Sequence, residues 1–312
     1  MKVMKLEERE ITRELKFPEG PIAMPDGSFL VVEIEGGRLI RVSPEGRRSV
    51  AAELGGGPNG AAIGANNTCY VCNNGGFNWI HEKDGFARPH GRADNYKGGS
   101  IQRVDLKTGA VEALYTHCDG VPLNGPNDIV FDGMGGFYFT DHGKSYDRLM
   151  DRGALYYARE DGSFIKEVAF PLITPNGVGL SPDGKTLYAS ETETGRLWSY
   201  PVLAPGELGK EPWPSPNGGK YMGCPDGFHR FDSMAVEANG NICVATLVNG
   251  GITVFAPDGE ILEFYKAPEG YCTNICFGGP ELKTAYITLS GYGRLVAVDW
   301  PRPGLPLAHL NV

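Results

Sequence analysis

The stretch Gly125–Asp141, GPNDIVFDGMGGFYFTD, consists of two short apolar runs joined by a glycine-rich turn. Runs of this length, rich in β-formers and bounded by Gly, Asp and Asn, are typical of two antiparallel strands. Asn127 stands at the head of the first run, and the turn glycine Gly135 follows it by eight residues. This spacing gives a reference with which the rest of the chain can be compared.

A polar residue eight positions before a turn glycine recurs along the chain, in the pairs Glu19 and Gly27, Asn176 and Gly184, and Asp232 and Gly240. Each of these residues opens a unit of short β-rich runs, and two further units open at Asn59 and Asn274. Six repeats of this kind, without a helical period, predict an all-β fold. The predicted architecture is a six-bladed β-propeller with four-stranded antiparallel blades around a central channel.

The repeat runs through the whole chain, so residues 1–312 are predicted to form a single propeller domain. Two polar stretches with aromatic residues, at about 74–98 and 202–230, interrupt it and are expected to form lids. The sixth unit ends after Trp300 without an outer strand. The segment around Glu10–Phe17 is the favoured source of that strand, and Leu305–Leu310 is the alternative.

Composition excludes several classes of function. A net charge of −9 argues against nucleic-acid binding, which needs a basic face. The chain has no apolar run of 18 residues, so no membrane association is expected. The charged N-terminus lacks an apolar signal core, which predicts a cytoplasmic location. Seven cysteines are an odd number and fit reduced thiols better than a disulfide framework. Nothing in the sequence specifies an oligomeric state.

In a propeller the first strand of each blade lines the channel, so the residue that opens each unit is expected to point into its mouth. Carboxylates and amide oxygens that converge there would repel and desolvate one another without a cation. All-oxygen ligation favours Ca²⁺, with Mg²⁺, Mn²⁺ or, least favoured, Zn²⁺ in its place. The predicted metal ligands are Glu19, Asn127, Asn176 and Asp232. A local turn role is the alternative for each Asn or Asp.

The opening stretch and three others resemble the regucalcin/gluconolactonase family, also called the senescence-marker-protein family, of six-bladed calcium-dependent lactonases. The other stretches are FPEGPIAMPDGSFLVVEI, TPNGVGLSPDGKTLYASETETGRLWSY and DSMAVEANGNICVATLVNG. The resemblance extends from Glu19 to Trp300. It implies that Glu19, Asn176 and Asp232 hold the cation. It also implies that Asn127 binds the cation through water or contacts the substrate.

The text around Asp232 departs from the PDGM-type text common in the family, and Asp226 in a nearby PDG competes for its role. Asp226 precedes Gly240 by fourteen residues, whereas Asp232 precedes it by eight, as in the other units. The spacing therefore favours Asp232.

The resemblance implies hydrolysis of a lactone. Asp232 is the favoured general base, and His142, which follows the second run of the opening stretch, is the other catalytic candidate. A loop histidine bonded to the backbone is the alternative for His142. Asn127, Asn59 and Asn73 are predicted to bind the substrate. No serine nucleophile elbow or phosphate loop occurs.

The predicted substrate is a sugar-type or bulkier lactone. Aromatic residues in the two interrupting stretches favour one bulkier or less polar than a simple sugar lactone, with anchoring of the loops as the equal alternative. Two other functions stay open at this point. The chain could be an organophosphate or aryl-ester hydrolase of the same propeller plan, or a non-catalytic calcium-binding propeller.

Overall fold

The computed structural model describes residues 1–5 and 7–311, and the first two blades occupy its N-terminal third. Two short strands come first, β1 (Lys2–Lys5) and β2 (Glu8–Thr12). Blade 1 contains β3 (Pro18–Ala23), β4 (Phe29–Glu33), β5 (Arg38–Val42) and β6 (Arg48–Glu53). The next six strands are β7 (Pro58–Gly64), β8 (Thr68–Asn73), β9 (Phe77–His81), β10 (Ala87–Arg92), β11 (Ser100–Asp105) and β12 (Val111–Tyr115). Of these, β9 and β10 pair with each other as a hairpin, and the other four form blade 2.

Blade 3 follows a small hairpin of β13 (His117–Cys118) and β14 (Val121–Pro122). The next strands are β15 (Pro126–Phe131), β16 (Gly136–Asp141), β17 (Ser145–Tyr146), β18 (Leu149–Met150), β19 (Gly153–Arg159) and β20 (Ile165–Leu172). Here β17 and β18 pair with each other, and the other four form the blade. The stretch from which the sequence analysis started thus forms the two inner strands of blade 3.

The remaining strands form blades 4 to 6. Blade 4 contains β21 (Pro175–Leu180), β22 (Thr186–Glu191), β23 (Leu197–Ala204), β24 (Glu207–Leu208) and β25 (Lys220–Gly223). Blade 5 contains β26 (Arg230–Val236), β27 (Ile242–Leu247), β28 (Gly251–Phe255) and β29 (Ile261–Lys266). Blade 6 contains β30 (Cys272–Gly278), β31 (Thr284–Leu289) and β32 (Arg294–Asp299). Apart from a 3₁₀ turn at Ala65–Asn67, the described residues contain no helix.

The blades close into a ring. Each first strand contacts the first strands of both neighbouring blades, in the cycle β3, β7, β15, β21, β26, β30 and back to β3. This arrangement confirms the predicted six-bladed β-propeller. Apolar side chains fill the spaces between blades, for example Tyr70, Phe131 and Phe137 between blades 2 and 3. The core is therefore a circle of inter-blade clusters around the channel.

The N-terminal segment supplies the outer strand of blade 6. β2 pairs antiparallel with β32, with Glu8 opposite Val298. The strand thus lies slightly earlier than the predicted segment around Glu10–Phe17. β1 adds a fifth, parallel strand to the outer edge of blade 5, with Lys2 opposite Glu263. Both edges would otherwise expose unpaired backbone groups, which invite association with other chains.

The alternative strand, Leu305–Leu310, lies elsewhere. It crosses the end of the channel that carries the turn glycines, where Leu305 N–H donates to Val236 O. The residues before it are fixed by the buried carboxylate of Glu237. That carboxylate accepts hydrogen bonds from Trp300 Nε1 at 2.7 Å and Arg302 Nε at 2.5 Å. The C-terminal segment therefore covers the lower end of the channel.

The second interrupting stretch, 202–230, differs from a simple lid. Its residues Lys220–Gly223 form strand β25, which pairs with β23 and completes blade 4. The physical reason is that β23 has backbone groups along its outer edge to pair, and β25 pairs with them after a long loop. Trp213, within this loop, is 89% exposed. The first stretch, 74–98, contains the β9–β10 hairpin described with the site below.

Two other observations concern the whole chain. All seven cysteines carry free thiols, and six of them are buried. In the described part of the chain, no helix is both long and apolar enough to cross a bilayer. The cytoplasmic location stays a prediction.

Candidate functional site

The residue that opens each unit lies on a β-bulge. In every blade the pairing of the first strand with the second shifts register at this position, for example between Pro126 and Ile129 in blade 3 and between Pro175 and Val178 in blade 4. A bulge bends the strand and re-aims the side chain that it carries. We call the six bulge residues the leading ring: Glu19, Asn59, Asn127, Asn176, Asp232 and Asn274. The fixed offset from the turn glycine thus has a structural cause.

The ring brings the two predicted carboxylates to one end of the channel, which we call the upper mouth. Glu19 is 2% exposed, the four asparagines are also buried, and Asp232 is half-buried. Desolvation and the charge of Asp232 raise the pKa of Glu19 well above its usual range. Desolvation also raises the pKa of Asp232. Burial therefore makes ionisation of this pair costly.

Three oxygen atoms of the ring are buried without a hydrogen-bond donor among the described residues: Glu19 Oε1, Asn59 Oδ1 and Asn127 Oδ1. Buried polar atoms are nearly always paired, so each unpaired atom indicates strain or an unseen partner. No cluster of three or more His, Cys, Asp or Glu able to hold a metal exists in residues 1–5 and 7–311. A cation at the ring would therefore depend on the asparagine oxygens. The donor set fits a hard cation such as Ca²⁺.

The remaining members of the ring differ in how free their oxygens are. Asn274 Nδ2 donates to Glu19 Oε2 at 2.6 Å, while its Oδ1 accepts Ile275 N–H. Gly20 N–H also donates to Glu19 Oε2. Asn274 thus orients Glu19. Asn176 Nδ2 donates to Thr192 Oγ1, and its Oδ1 accepts only a long 3.3 Å bond from Ser233 Oγ. Its oxygen can therefore still take a ligand.

Asp128 is a third carboxylate in the channel, and the sequence analysis missed it. Its oxygens accept N–H groups from Ile129 at 3.0 Å and from Val178 of blade 4 at 3.2 Å. Desolvation raises the pKa of Asp128 to about 7. Its charge raises the pKa of Asp232. The sequence did contain a signal for this residue. Glycine follows the leading residue in three other blades, in the motifs Pro-Glu-Gly and Pro-Asn-Gly, whereas Asp128 replaces that glycine in blade 3.

A second tier of residues surrounds the ring at the upper mouth. The N–H groups of Ile34, Asn74, His142 and Thr192 each donate to the carbonyl that precedes the first strand of their blade. Thr192 contacts Asn176 of the ring, so this tier reaches the leading residues. His142 occupies the same position in blade 3 and therefore belongs at the upper mouth beside Asn127. Desolvation and the charge of Lys144 lower the pKa of His142 to about 4, which keeps the imidazole neutral at neutral pH.

The structure engages every polar group of Asn73. Its Oδ1 accepts Gly57 N–H and Gly75 N–H, and its Nδ2 donates to Gly55 O and Gln102 Oε1. Its role as a substrate ligand stays a prediction. The next residue, Asn74, has a buried Nδ2 with no acceptor in the described chain. Asn74 directly follows β8, and its unpaired amide nitrogen leaves it better placed for a ligand than Asn73.

Lys144 is the other functional candidate that the sequence did not indicate. It is 2% exposed, and its Nζ donates to Asn74 Oδ1 and Gly76 O at 2.9 Å each. Desolvation lowers its pKa to about 7. Lysines are almost never buried, and nothing in HGKSY marks this one. Asp226, which competed with Asp232 in the sequence, is exposed.

The β9–β10 hairpin of the first interrupting stretch lies along the upper rim. It leaves blade 2 and reaches blade 6, where Ala87 N–H donates to Gly291 O at 2.8 Å. Trp79 packs on Phe17, and Phe86 packs on Tyr271, with ring centroids 4.9 and 5.1 Å apart. The hairpin thus forms an aromatic wall beside Glu19 and the upper mouth.

The fold and this site define a class of six-bladed propellers with an oxygen-donor ring at one end of the channel. The family described as "SMP-30/Gluconolactonase/LRE-like region" matches residues 17–291. The chain belongs to this family, as its sequence resemblance implied.

Individual relatives agree with this assignment. A gluconolactonase of Zymomonas mobilis is 24% identical over 312 residues, covering 90% of this chain and 78% of the relative. Diisopropyl-fluorophosphatase of Loligo vulgaris is 29% identical over 200 residues, covering 60% of each protein. The crystal structure of a protein called calcium-binding regucalcin, from Agrobacterium tumefaciens, superposes with a TM-score of 0.74 at 19% identity. That superposition covers 98% of this chain and 100% of that one. It shows a shared fold.

Proposed function

We propose that this protein is a metal-dependent hydrolase that opens a lactone at a divalent cation, with Ca²⁺ favoured over Mg²⁺, Mn²⁺ and Zn²⁺. Glu19, Asn176 and Asp232 would hold the cation, with Asn127 as a weaker ligand. The observation that carries the proposal is the set of buried, unpaired oxygens on the leading ring. Membership of a family that includes named lactonases supports the choice of reaction.

A bound divalent cation would polarise the lactone carbonyl and stabilise the negative charge that develops on its oxygen. The protein's own contribution begins with orientation. Asn274 and Gly20 fix one oxygen of Glu19, which leaves its Oε1 free at the ring. The unpaired Oδ1 atoms of Asn59 and Asn127 can accept hydrogen bonds from substrate hydroxyls or from the attacking water.

Asp232 is the proposed general base, because it is the half-buried carboxylate of the ring and could accept a proton from a water molecule bound there. His142 is the second candidate. Its pKa of about 4 makes it a weak base, and its Nδ1 lies 3.4 Å from Gly143 O. It fits the task of orienting a water molecule through a neutral ring nitrogen. Exclusion of bulk water falls to the hairpin wall over Phe17 and Tyr271.

A second candidate function is hydrolysis of organophosphate or aryl esters, because one relative is named diisopropyl-fluorophosphatase. The same donor ring would serve either electrophile. A non-catalytic calcium-binding propeller is the third reading. It gives no reason for a half-buried carboxylate beside an aromatic wall.

The test is a panel of sugar lactones, aliphatic lactones, aryl esters and organophosphates, assayed by proton release with and without chelator. Lactone opening that chelator abolishes and Ca²⁺ restores is expected. Turnover that persists without metal would contradict the mechanism, and calcium binding without any turnover would favour a binding protein. Asp226→Asn is the matched control for Asp232→Asn, because Asp226 is exposed and outside the ring.

A further inference from the structure

The side-chain ammonium of Lys144 is buried beside the upper mouth and makes two hydrogen bonds to oxygen acceptors. Its ammonium donates to Asn74 Oδ1 and Gly76 O. A third N–H has no acceptor among residues 1–5 and 7–311. The ammonium also lies 3.8 Å from the centroid of the Phe77 ring, at the start of the hairpin wall. An ammonium group has three donors, so two of them have oxygen acceptors here and the third has the aromatic face as its neighbour, which leaves it able to take a ligand oxygen.

No carboxylate in the described chain forms an ion pair with this ammonium. The two acidic groups whose charges act on it are Asp141 and Asp151. The oxygens of Asp141 are occupied by the N–H groups of Asn124, Gly125 and Gly143. Those of Asp151 accept from Lys144 N–H and from the Tyr146 hydroxyl. Buried charges in proteins are normally paired, whereas the described residues give this ammonium no directly bonded counter-ion.

Two other buried nitrogen atoms at the upper mouth also lack hydrogen-bond acceptors. Asn74 Nδ2, on the residue that Lys144 holds, is buried and unpaired. So is Arg230 Nε, although another nitrogen of that guanidinium pairs with Glu193. The positive charges of Lys144 and Arg230 both act on His142 and lower its pKa. Beside the carboxylates of the ring, the upper mouth thus also holds buried N–H donors without acceptors, on Asn74 and Arg230.

We propose that the substrate is a lactone with a carboxylate substituent, and that Lys144 together with Asn74 binds this carboxylate. The inference rests on the proposed lactonase function and names its substrate class. A carboxylate would supply the counter-ion that Lys144 lacks and accept the free N–H of Asn74. Charge-assisted hydrogen bonds of this kind are the strong ones in proteins. Lys144 is then a specificity residue.

The experiment compares γ-carboxy-γ-butyrolactone with its primary amide, two lactones of one ring and nearly one size that differ in charge. We expect wild-type kcat/KM to be at least about tenfold higher for the carboxylate. Lys144→Gln should lower it about ten- to hundredfold for the carboxylate and less than about threefold for the amide. Lys83→Gln, at the exposed tip of the same hairpin, is the control and should change neither.

The variant should fold, because both acceptors keep another donor. Asn74 Oδ1 accepts Gly76 N–H, and Gly76 O accepts Ala93 N–H. Equal losses on both lactones in Lys144→Gln would show a structural role and overturn the inference. A wild-type enzyme that does not prefer the carboxylate would overturn it as well.

Calorimetry separates this inference from the proposed function. The hydroxyglutarate formed by opening the carboxylate lactone should bind wild type at least about tenfold more tightly than Lys144→Gln, whether or not turnover occurs. Equal binding by the two proteins would contradict the carboxylate site. Absence of any lactone opening, with this binding difference intact, would refute the lactonase function and keep the anion site.

Discussion

The two ends of the channel are built by the same six strands and differ in the side chains that predominate at each. Along β15, Asn127 lies at the upper mouth, whereas Ile129 and Phe131 line the lower end. Isoleucine, valine and methionine occupy matching positions on other blades and enclose a cavity of about 490 Å³. Leu305, Leu307 and Leu310 cover it. The upper mouth thus contains buried polar atoms without hydrogen-bond partners. The lower end is lined mainly by apolar side chains, which the C-terminal leucines cover.

Stability and chemistry are thus separated along the channel axis. Apolar burial contributes to folding wherever it occurs. Unpaired buried carboxylates and amides cost free energy, and such costs are concentrated at functional sites. Substitutions at the upper mouth should therefore change activity more than stability, and those that fix the lower end should do the opposite.

The largest expected effect is on catalysis at the upper mouth. Glu19→Gln and Asp232→Asn keep the side-chain shape and remove one charge each. We expect a loss of about a hundred- to a thousandfold in kcat/KM on the preferred lactone, because removing one group that supports the stabilisation of developing charge costs about this much. Kinetics at saturating Ca²⁺, with calcium binding by calorimetry, provide the measurement. Retention of full activity in either variant would break the assignment of the ring.

The next effect is on stability at the lower end. Glu237→Ala removes a fully buried carboxylate and leaves Arg302 and Trp300 Nε1 without their acceptor. Breaking a buried ion pair from one side destabilises proteins by about 3–5 kcal/mol. Urea unfolding should show this loss, while kcat measured well below the transition stays within about twofold of wild type. A large fall in kcat of the folded variant would show that the two ends are coupled.

Lys144→Met is a substitution at the upper mouth that should raise the free energy of unfolding. Burial lowers the pKa of Lys144 to about 7 from an ordinary value near 10.5, so folding opposes protonation. Below pH 7 both folded and unfolded chains are protonated and the whole penalty is present. It disappears as the pH rises towards 10.5. We expect a gain of about 1–3 kcal/mol in the free energy of unfolding at pH 6, fading above pH 7. Lys83→Met should show no such pH-dependent gain.

The smallest effect concerns His142. Its pKa in the folded protein is about 4, below the usual 6.5, so the unfolded chain binds a proton first as the pH falls. The free energy of unfolding should therefore decline between about pH 6.5 and pH 4, by about 1–2 kcal/mol for this half-buried group. His142→Asn should remove that part of the decline. An identical pH profile of wild type and variant in urea unfolding would place the titration elsewhere.

The sequence was most informative where a residue type repeats in a fixed register. The offset between Asn127 and Gly135 recurs in four units and predicts four members of the leading ring, because the bulge and the turn are both local features. Lys2–Lys5 could not be assigned as a strand, since its pairing with β29 depends on a distant edge. Lys144 could not be found, because its burial results from the loops of two blades meeting. Which of the adjacent Asn73 and Asn74 keeps an unpaired amide nitrogen also depends on tertiary contacts, here those of Asn73 with Gly55 and Gln102.

The pairing of β2 with β32 has a consequence for biosynthesis. Glu8 can pair only after Val298 has been synthesised, 290 residues later in the chain. At about 5–20 residues per second, translation places roughly 15–60 s between their appearances. During that time blades 1 to 5 can assemble behind the ribosome as an open arc with two unsatisfied edges. Ring closure is therefore a late event, and until Val298 is available the arc keeps unpaired sheet edges that can pair with other chains.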